Sequence, residues 1–170
     1  MALLDRLRAR LRRPPPPADP SRTEMGSERL ADGTVLERCV VVDGAGLQRA
    51  LTAPGRTRLV FHFLARDPAS AHDLHELREL HLYYSAHFDL VSVAWDLALD
   101  PDLPRAGAAV DAFHRDHGLT WQSLLVRGEA VPDALPLLRL IDGQDRLRHE
   151  RLGAWGSGDR PLIERLLTAH

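Results

Sequence analysis

Blocks of apolar residues recur along this chain at intervals that suit strands and helices in alternation. A continuous apolar run at residues 59–64 suits a strand that is buried on both faces, and residues 88–95 predict the next buried strand. Shorter apolar stretches on either side of them predict further strands. The predicted strands are residues 35–42, 59–64, 88–95, 137–141 and 146–152.

The segments between the strands predict helices at 47–51, 68–86 and 106–116, and Pro161 opens a last helix at a position where its missing N–H costs nothing. The second helix has the clearest pattern, because four leucines supply one apolar face. These leucines are Leu74, Leu77, Leu80 and Leu82.

This order of elements, β-α-β-α-β-α-β-β-α, predicts an α/β fold with a central, mostly parallel sheet and helices on both faces. The turn at Asp142-Gly143 joins the last two strands, so we expect them to form an antiparallel C-terminal hairpin. The sequence has no internal repeats. We therefore assign residues 34–170 to one α/β domain.

The N-terminal part of the chain has a different character. Residues 1–13 predict a short amphipathic helix rich in arginine, and residues 14–33 begin with four prolines and predict a linker. Residues 2–13 could make a peripheral contact with an anionic membrane surface or a partner, or they could form a solvated tail. Met25 is an alternative start, in which case the basic segment would not be translated.

Composition narrows the function classes. The chain has 170 residues, 44% of them hydrophobic and 27% charged, and a formal net charge of −2, which gives no general attraction to nucleic acid. No apolar run approaches the roughly 20 residues that span a bilayer, and the N-terminus lacks the apolar core of a secretory signal. We therefore expect no transmembrane segment and a cytoplasmic location. The single cysteine, Cys39, excludes a disulfide within the chain.

Three segments carry a resemblance to a known family. The first reads LVFHFLARDPASAHDLHEL, from residue 59 to 77. The second pairs FDLVSVAWD, from residue 88, with the helix end at 110–118, and the third reads LPLLRLIDG, from residue 135. In this order and spacing they resemble the thioredoxin-like superfamily, and within it the TlpA-like/redoxin branch of membrane-linked thiol–disulfide oxidoreductases.

The resemblance implies a redox site that this chain has lost. The family's Cys-x-x-Cys positions are occupied here by Asp67, Pro68, Ala69 and Ser70, so the motif is degenerate. Disulfide exchange needs a thiolate and usually a second thiol, and none of these residues supplies either. The resemblance also implies that Pro136 is cis and that the backbone of Leu135 pairs with a bound peptide.

Asp67 allows two interpretations. Asp-Pro-Ala-Ser is a strong helix start, with Asp67 as the N-cap and Pro68 at the first helical position. Asp67 could be a cap alone, or a cap that also places a carboxylate where the family has its thiolate, beside the peptide-binding Leu135 and Pro136.

The histidines suggest a weaker possibility. His72, His75 and Glu76 have helical spacings that bring them near one face, where they could hold a metal, but a solvated polar face is the simpler explanation and the one we favour. His62 lies in a buried strand and is expected to be a core residue. No motif for a cofactor is present.

We therefore predict a redox-inactive thioredoxin-like domain, a pseudoenzyme that binds a protein partner or peptide at the degenerate groove. The alternative is a thiol–disulfide oxidoreductase that uses Cys39 or a partner's thiol, for which Cys39 would have to be accessible. A metal-binding module built on His72 and His75 is the third hypothesis.

Overall fold

The computed structural model describes residues 36–52 and 54–169. The predicted helix at 1–13 and the predicted linker at 14–33 lie outside these residues. The strands are β1 (Cys39–Val42), β2 (Thr57–Phe63), β3 (Phe88–Ala94), β4 (Ser123–Val126), β5 (Leu137–Ile141) and β6 (Leu147–Leu152). The helices are α1 (Gly44–Leu51), α2 (Leu74–Tyr84), α3 (Asp96–Leu99), α4 (Leu103–Asp116) and α5 (Asp159–Thr168), with a 3₁₀ turn at Pro68–Ala71.

The six strands form one mixed sheet in the order β1-β4-β3-β2-β5-β6. The neighbouring strands β1, β4, β3 and β2 pair in parallel, whereas β5 pairs antiparallel with β2 and with β6. The predicted α/β class, the mostly parallel sheet and the closing antiparallel hairpin are confirmed. Within the described ranges, no helix is long and apolar enough to cross a membrane.

The sequence prediction was wrong at one strand, at the long helix and at the start of the last helix. It missed β4, a four-residue strand that inserts between β1 and β3 and makes the sheet six-stranded. It also treated 68–86 as one helix, whereas the chain forms a short 3₁₀ turn at Pro68–Ala71 and begins α2 at Leu74. Pro161 is the third residue of α5, which begins at Asp159 rather than at the proline.

The two faces of the sheet bury separate apolar clusters. The larger cluster lies under α2, α4 and α5 and contains Phe61 and Phe63 of the central strand β2. The smaller cluster lies on the opposite face around Val60, Val93 and Trp95, with α1 packed against it. Leu74, Leu77 and Leu80 of α2 are buried as predicted, but Leu82 is 71% exposed because it lies on the outer side of the helix.

Candidate functional site

The degenerate motif lies where β2 ends. Asp67 caps the 3₁₀ turn: its Oδ1 accepts a hydrogen bond from the Ala69 N–H at 3.0 Å, and Pro68 follows at the first helical position. The predicted capping role of Asp67 is therefore confirmed. This use of Oδ1 fixes the carboxylate at the mouth of the loop, where Asp67 is half-buried.

Ser70 closes the same loop from inside. It is 1% exposed, and its Oγ accepts a hydrogen bond from the Leu64 N–H at 3.1 Å. The Ser70 N–H in turn donates to the Asp67 carbonyl at 3.0 Å. The hydroxyl is thus committed to holding the strand end against the 3₁₀ turn, and it has no thiol chemistry to offer.

The bond between Leu135 and Pro136 is cis, as the resemblance implied. The antiparallel register of β2 and β5 runs from Arg58 opposite Ile141 to His62 opposite Leu137. The end of β2, which leads into the degenerate loop, and the start of β5, which follows the cis-proline, therefore lie at the same end of the sheet. That Leu135, Pro136 and Asp67 together bind a peptide stays a prediction.

Some backbone N–H and C=O groups near the cis-proline have hydrogen-bond partners, and others do not. The Pro136 carbonyl accepts from the Gly153 N–H at 2.8 Å, and the Leu64 N–H is already used by Ser70. In contrast, neither the N–H nor the C=O of Leu135 hydrogen-bonds to any described residue. Leu135 thus presents a free donor and a free acceptor at a strand end, which is the requirement for pairing with an extended chain.

A buried carboxylate supports the loop from the neighbouring strand. Asp96 follows β3, is 3% exposed, and its Oδ2 accepts from the Ala65 N–H at 2.9 Å. Its Oδ1 is buried without a hydrogen-bond partner among the described residues, and desolvation raises its pKa. The sequence signal for this role was only the acidic residue that ends the strand, and no supporting role for Asp96 was assigned from it.

His62 is a core residue, as predicted. Its Nδ1 accepts a hydrogen bond from the Trp95 indole N–H at 3.2 Å, and its Nε2 is buried without a described partner. Burial, together with the nearby charge of Arg139, lowers the pKa of His62 to about 4. The ring is therefore neutral near pH 7, and it fixes the Trp95 indole in the apolar cluster that also contains Leu135.

Cys39 lies far from the loop. It is 0% exposed and belongs to the edge strand β1, where it is in register with Ser123 of β4. Ser123 is in register with Ser92 of β3, and Ser92 with Phe61 of β2. Three strand spacings of about 4.8 Å separate Cys39 from β2, and the loop begins several residues beyond Phe61. The thiol is neither accessible nor adjacent to Asp67.

The candidate metal ligands do not converge. Glu76 accepts a hydrogen bond from Arg160 of α5 at 2.8 Å, His75 lies 3.5 Å from Glu79, and His72 precedes α2 on the surface. In the described part of the chain, no three histidine, cysteine or carboxylate side chains are grouped so as to hold a metal ion.

The fold was compared with known proteins. No protein-family model and no curated protein sequence matches the chain. Solved structures do match: a thiol-disulfide isomerase from Corynebacterium glutamicum has 14% identity and a TM-score of 0.58, and covers 69% of this chain and 84% of its own. A DsbF homologue from Corynebacterium diphtheriae has 15% identity, a TM-score of 0.55, and coverage of 83% and 80%.

A secreted disulfide oxidoreductase from Mycobacterium tuberculosis, homologous to E. coli DsbE, has 12% identity and a TM-score of 0.54, with coverage of 70% and 85%. Identities at this level establish the fold and leave the activity open. The chain thus has the thioredoxin-like fold found in thiol–disulfide oxidoreductases. It carries that fold with one cysteine, which is buried outside the loop, and therefore without the Cys-x-x-Cys motif.

Proposed function

We propose that this protein is a redox-inactive thioredoxin-like domain that binds an extended segment of a protein partner beside Leu135, Pro136 and Asp67. The observation that carries the proposal is the unpaired backbone of Leu135 next to the cis-proline. An extended chain that pairs there would form hydrogen bonds with the N–H and the C=O of Leu135 and would pass the Asp67 carboxylate. The Leu135 side chain packs against the apolar cluster that contains Trp95.

The replaced motif supports binding over electron transfer. Asp67 and Ser70 both serve local hydrogen bonds that keep the loop in shape, and neither can form a disulfide. The alternative, an oxidoreductase that uses Cys39, requires a thiol that solvent and substrate can reach. The complete burial of Cys39 on the far edge strand argues against it.

A trapping experiment tests the site directly. In a Cys39→Ser background, Asp67→Cys is reacted with a short peptide whose single cysteine is activated as a mixed disulfide with thionitrobenzoate. Asp102→Cys is the control, because Asp102 is likewise an aspartate whose side chain caps a helical segment with a proline in its first turn, at the start of α4. Both thiols then sit at a helix N-terminus, and only one sits beside Leu135.

We expect the thiol at position 67 to react with saturation kinetics and about tenfold faster at low peptide concentration, equivalent to about 1.4 kcal/mol of binding. Methylating the backbone N–H of the peptide residues that flank its cysteine should remove this advantage, because it removes the donor to Leu135. Equal, non-saturating rates at positions 67 and 102 would contradict the proposal.

A cytoplasmic location is also part of the proposal. Fractionation of cells that express the full chain with a C-terminal tag tests it. Recovery in a fraction other than the cytoplasm would contradict it.

A further inference from the structure

A cleft on the opposite side of the degenerate loop from Leu135 is not used by the proposed function. It runs between α2 and the segment 115–121, where α4 ends and the chain turns toward β4. The cleft has two lobes of about 510 Å³ and about 290 Å³, which share His75, Arg78 and Gly118. Cavities of this size accommodate small organic ligands.

The larger lobe is lined by positively charged groups. Arg78 of α2 and Arg115 of α4 both line it. Neither forms a salt bridge with a described residue, although burial raises the pKa of Asp111 on the same helix as Arg115 and the charge of Arg115 partly offsets that rise. Gly118 has a φ of +61°, and a Cβ at that position would come within 3.8 Å of Arg78 Nη2, so the Arg78 guanidinium lies over the backbone where the two lobes meet. The imidazole rings of His72, His75 and His117 and the carboxylate of Asp116 also line this lobe.

The smaller lobe has an apolar and aromatic lining. Trp121 and the exposed side chain of Leu82 face it, and the His81 ring holds Trp121 by an edge contact with centroids 5.2 Å apart. The one acidic residue there, Glu79, is already engaged by Arg160, whose hydrogen bond lowers the pKa of Glu79. Its charge is therefore largely balanced before any ligand arrives.

We propose that this cleft binds a small aryl phosphate, with the phosphate between Arg78 and Arg115 and the ring against Trp121 and Leu82. Guanidinium groups present paired donors that match phosphate oxygens, and an aromatic ligand gains contact area on an indole. The carboxylate of Asp116 in the larger lobe opposes the anion. Removing that carboxylate should therefore strengthen binding.

Phenyl phosphate is the probe that we would titrate into the full chain at low ionic strength, with calorimetry for affinity and tryptophan fluorescence for location. We expect saturable binding that Arg78→Gln and Arg115→Gln each weaken about tenfold, since each change removes a charged donor to the phosphate oxygens. Asp116→Asn should tighten binding a few-fold. Trp121→Phe should remove the change in tryptophan fluorescence, while calorimetry should still detect the heat of phenyl phosphate binding.

Arg49→Gln is the matched control, because Arg49 is an exposed arginine on α1 without a described ion pair. It should leave the affinity unchanged. Inorganic phosphate should bind more weakly than phenyl phosphate, since it cannot use the aromatic lobe. The proposal is overturned by an absence of saturable binding, by equal affinity for the two phosphates, or by equal effects of Arg78→Gln and Arg49→Gln.

Discussion

The Ser70 hydroxyl accepts a hydrogen bond from the backbone N–H of Leu64 at 3.1 Å, and this bond joins the end of β2 to the 3₁₀ turn that replaces the redox motif. It gives the second motif position a structural role. The loop keeps its shape because the residue that stands there is small and can accept a hydrogen bond.

Ser70→Ala therefore should destabilise the protein. It leaves the N–H of Leu64 without its partner in a partly buried setting, and we expect the free energy of unfolding to fall by about 1–3 kcal/mol. Urea denaturation measures the change. Ser85→Ala, at an exposed position after α2, is the control and should have an effect near zero. Equal effects of the two changes would refute the structural role of Ser70.

Asp67→Ala should reduce the free energy of unfolding by about 1 kcal/mol, because it removes the acceptor for the Ala69 N–H. Asp67→Asn should preserve most of the stability, since its side-chain oxygen can still cap the turn. Thermal or urea denaturation of both variants distinguishes the cap from the charge. A loss in Asp67→Asn as large as that in Asp67→Ala would mean that the charge, rather than the cap, stabilises the loop.

Two buried histidines should make stability depend on pH. Burial lowers the pKa of both His62 and His114 to about 4 in the folded protein, from 6.5. Between these two pKa values the unfolded chain binds more protons than the folded protein. The contribution of the two histidines to the free energy of unfolding should therefore be greatest above pH 6.5 and should fall as the pH drops toward 4. The loss at pH 5 is on the order of 2 kcal/mol for each histidine.

Denaturation between pH 5 and 7.5 measures this slope. Asp96 and Asp111, whose pKa values burial raises, act in the opposite sense and matter most at the acidic end. His62→Gln keeps an acceptor for Trp95 but cannot titrate, and it should remove about half of the slope. A stability that is constant from pH 7.5 to 5 would show that the two rings are not held in their neutral form.

Gly107→Ala should destabilise the protein although alanine is the better helix former. A Cβ at Gly107 of α4 would lie 2.2 Å from Cδ2 of Leu36, which is fully buried. Overpacking costs about 1–3 kcal/mol, whereas the propensity gain is about 1 kcal/mol. Adding Leu36→Val should recover part of the loss in urea denaturation. A stabilised Gly107→Ala variant would show that α4 can move away from Leu36 at little cost.

The sequence was most informative where a segment's own pattern decides its structure. The apolar runs of β2 and β3 and the Asp-Pro start of the loop are strong local signals, and the cis bond before Pro136 followed from the resemblance. Strand β4 was missed because four residues carry too little pattern, and pairing with β1 and β3 forms it. Leu82 was wrongly predicted to be buried, because it was assigned to the apolar face from its residue type although it lies on the outer side of the helix.

The candidate site was predicted less completely than the fold. Asp67, Ser70, Leu135 and Pro136 were identified from the resemblance, whereas the contact of Asp96 with Ala65 joins residues 31 positions apart and depends on the register of two strands. The cleft that Arg78 and Arg115 line likewise exists only once α2 and the end of α4 come near each other in the folded chain. No periodicity within one segment could indicate either arrangement.

We propose that the protein keeps the loop geometry of a thiol–disulfide redox site but, without the two thiols, does not catalyse disulfide exchange. The most direct measurement is the reduction of insulin by dithiothreitol, followed as turbidity, with wild type, Cys39→Ser and Asp67→Cys/Ser70→Cys. We predict that wild type and Cys39→Ser do not accelerate the reaction. The double variant should accelerate it, because its two thiols lie in a loop whose backbone geometry is intact. Acceleration by the wild type that Cys39→Ser abolishes would contradict the account.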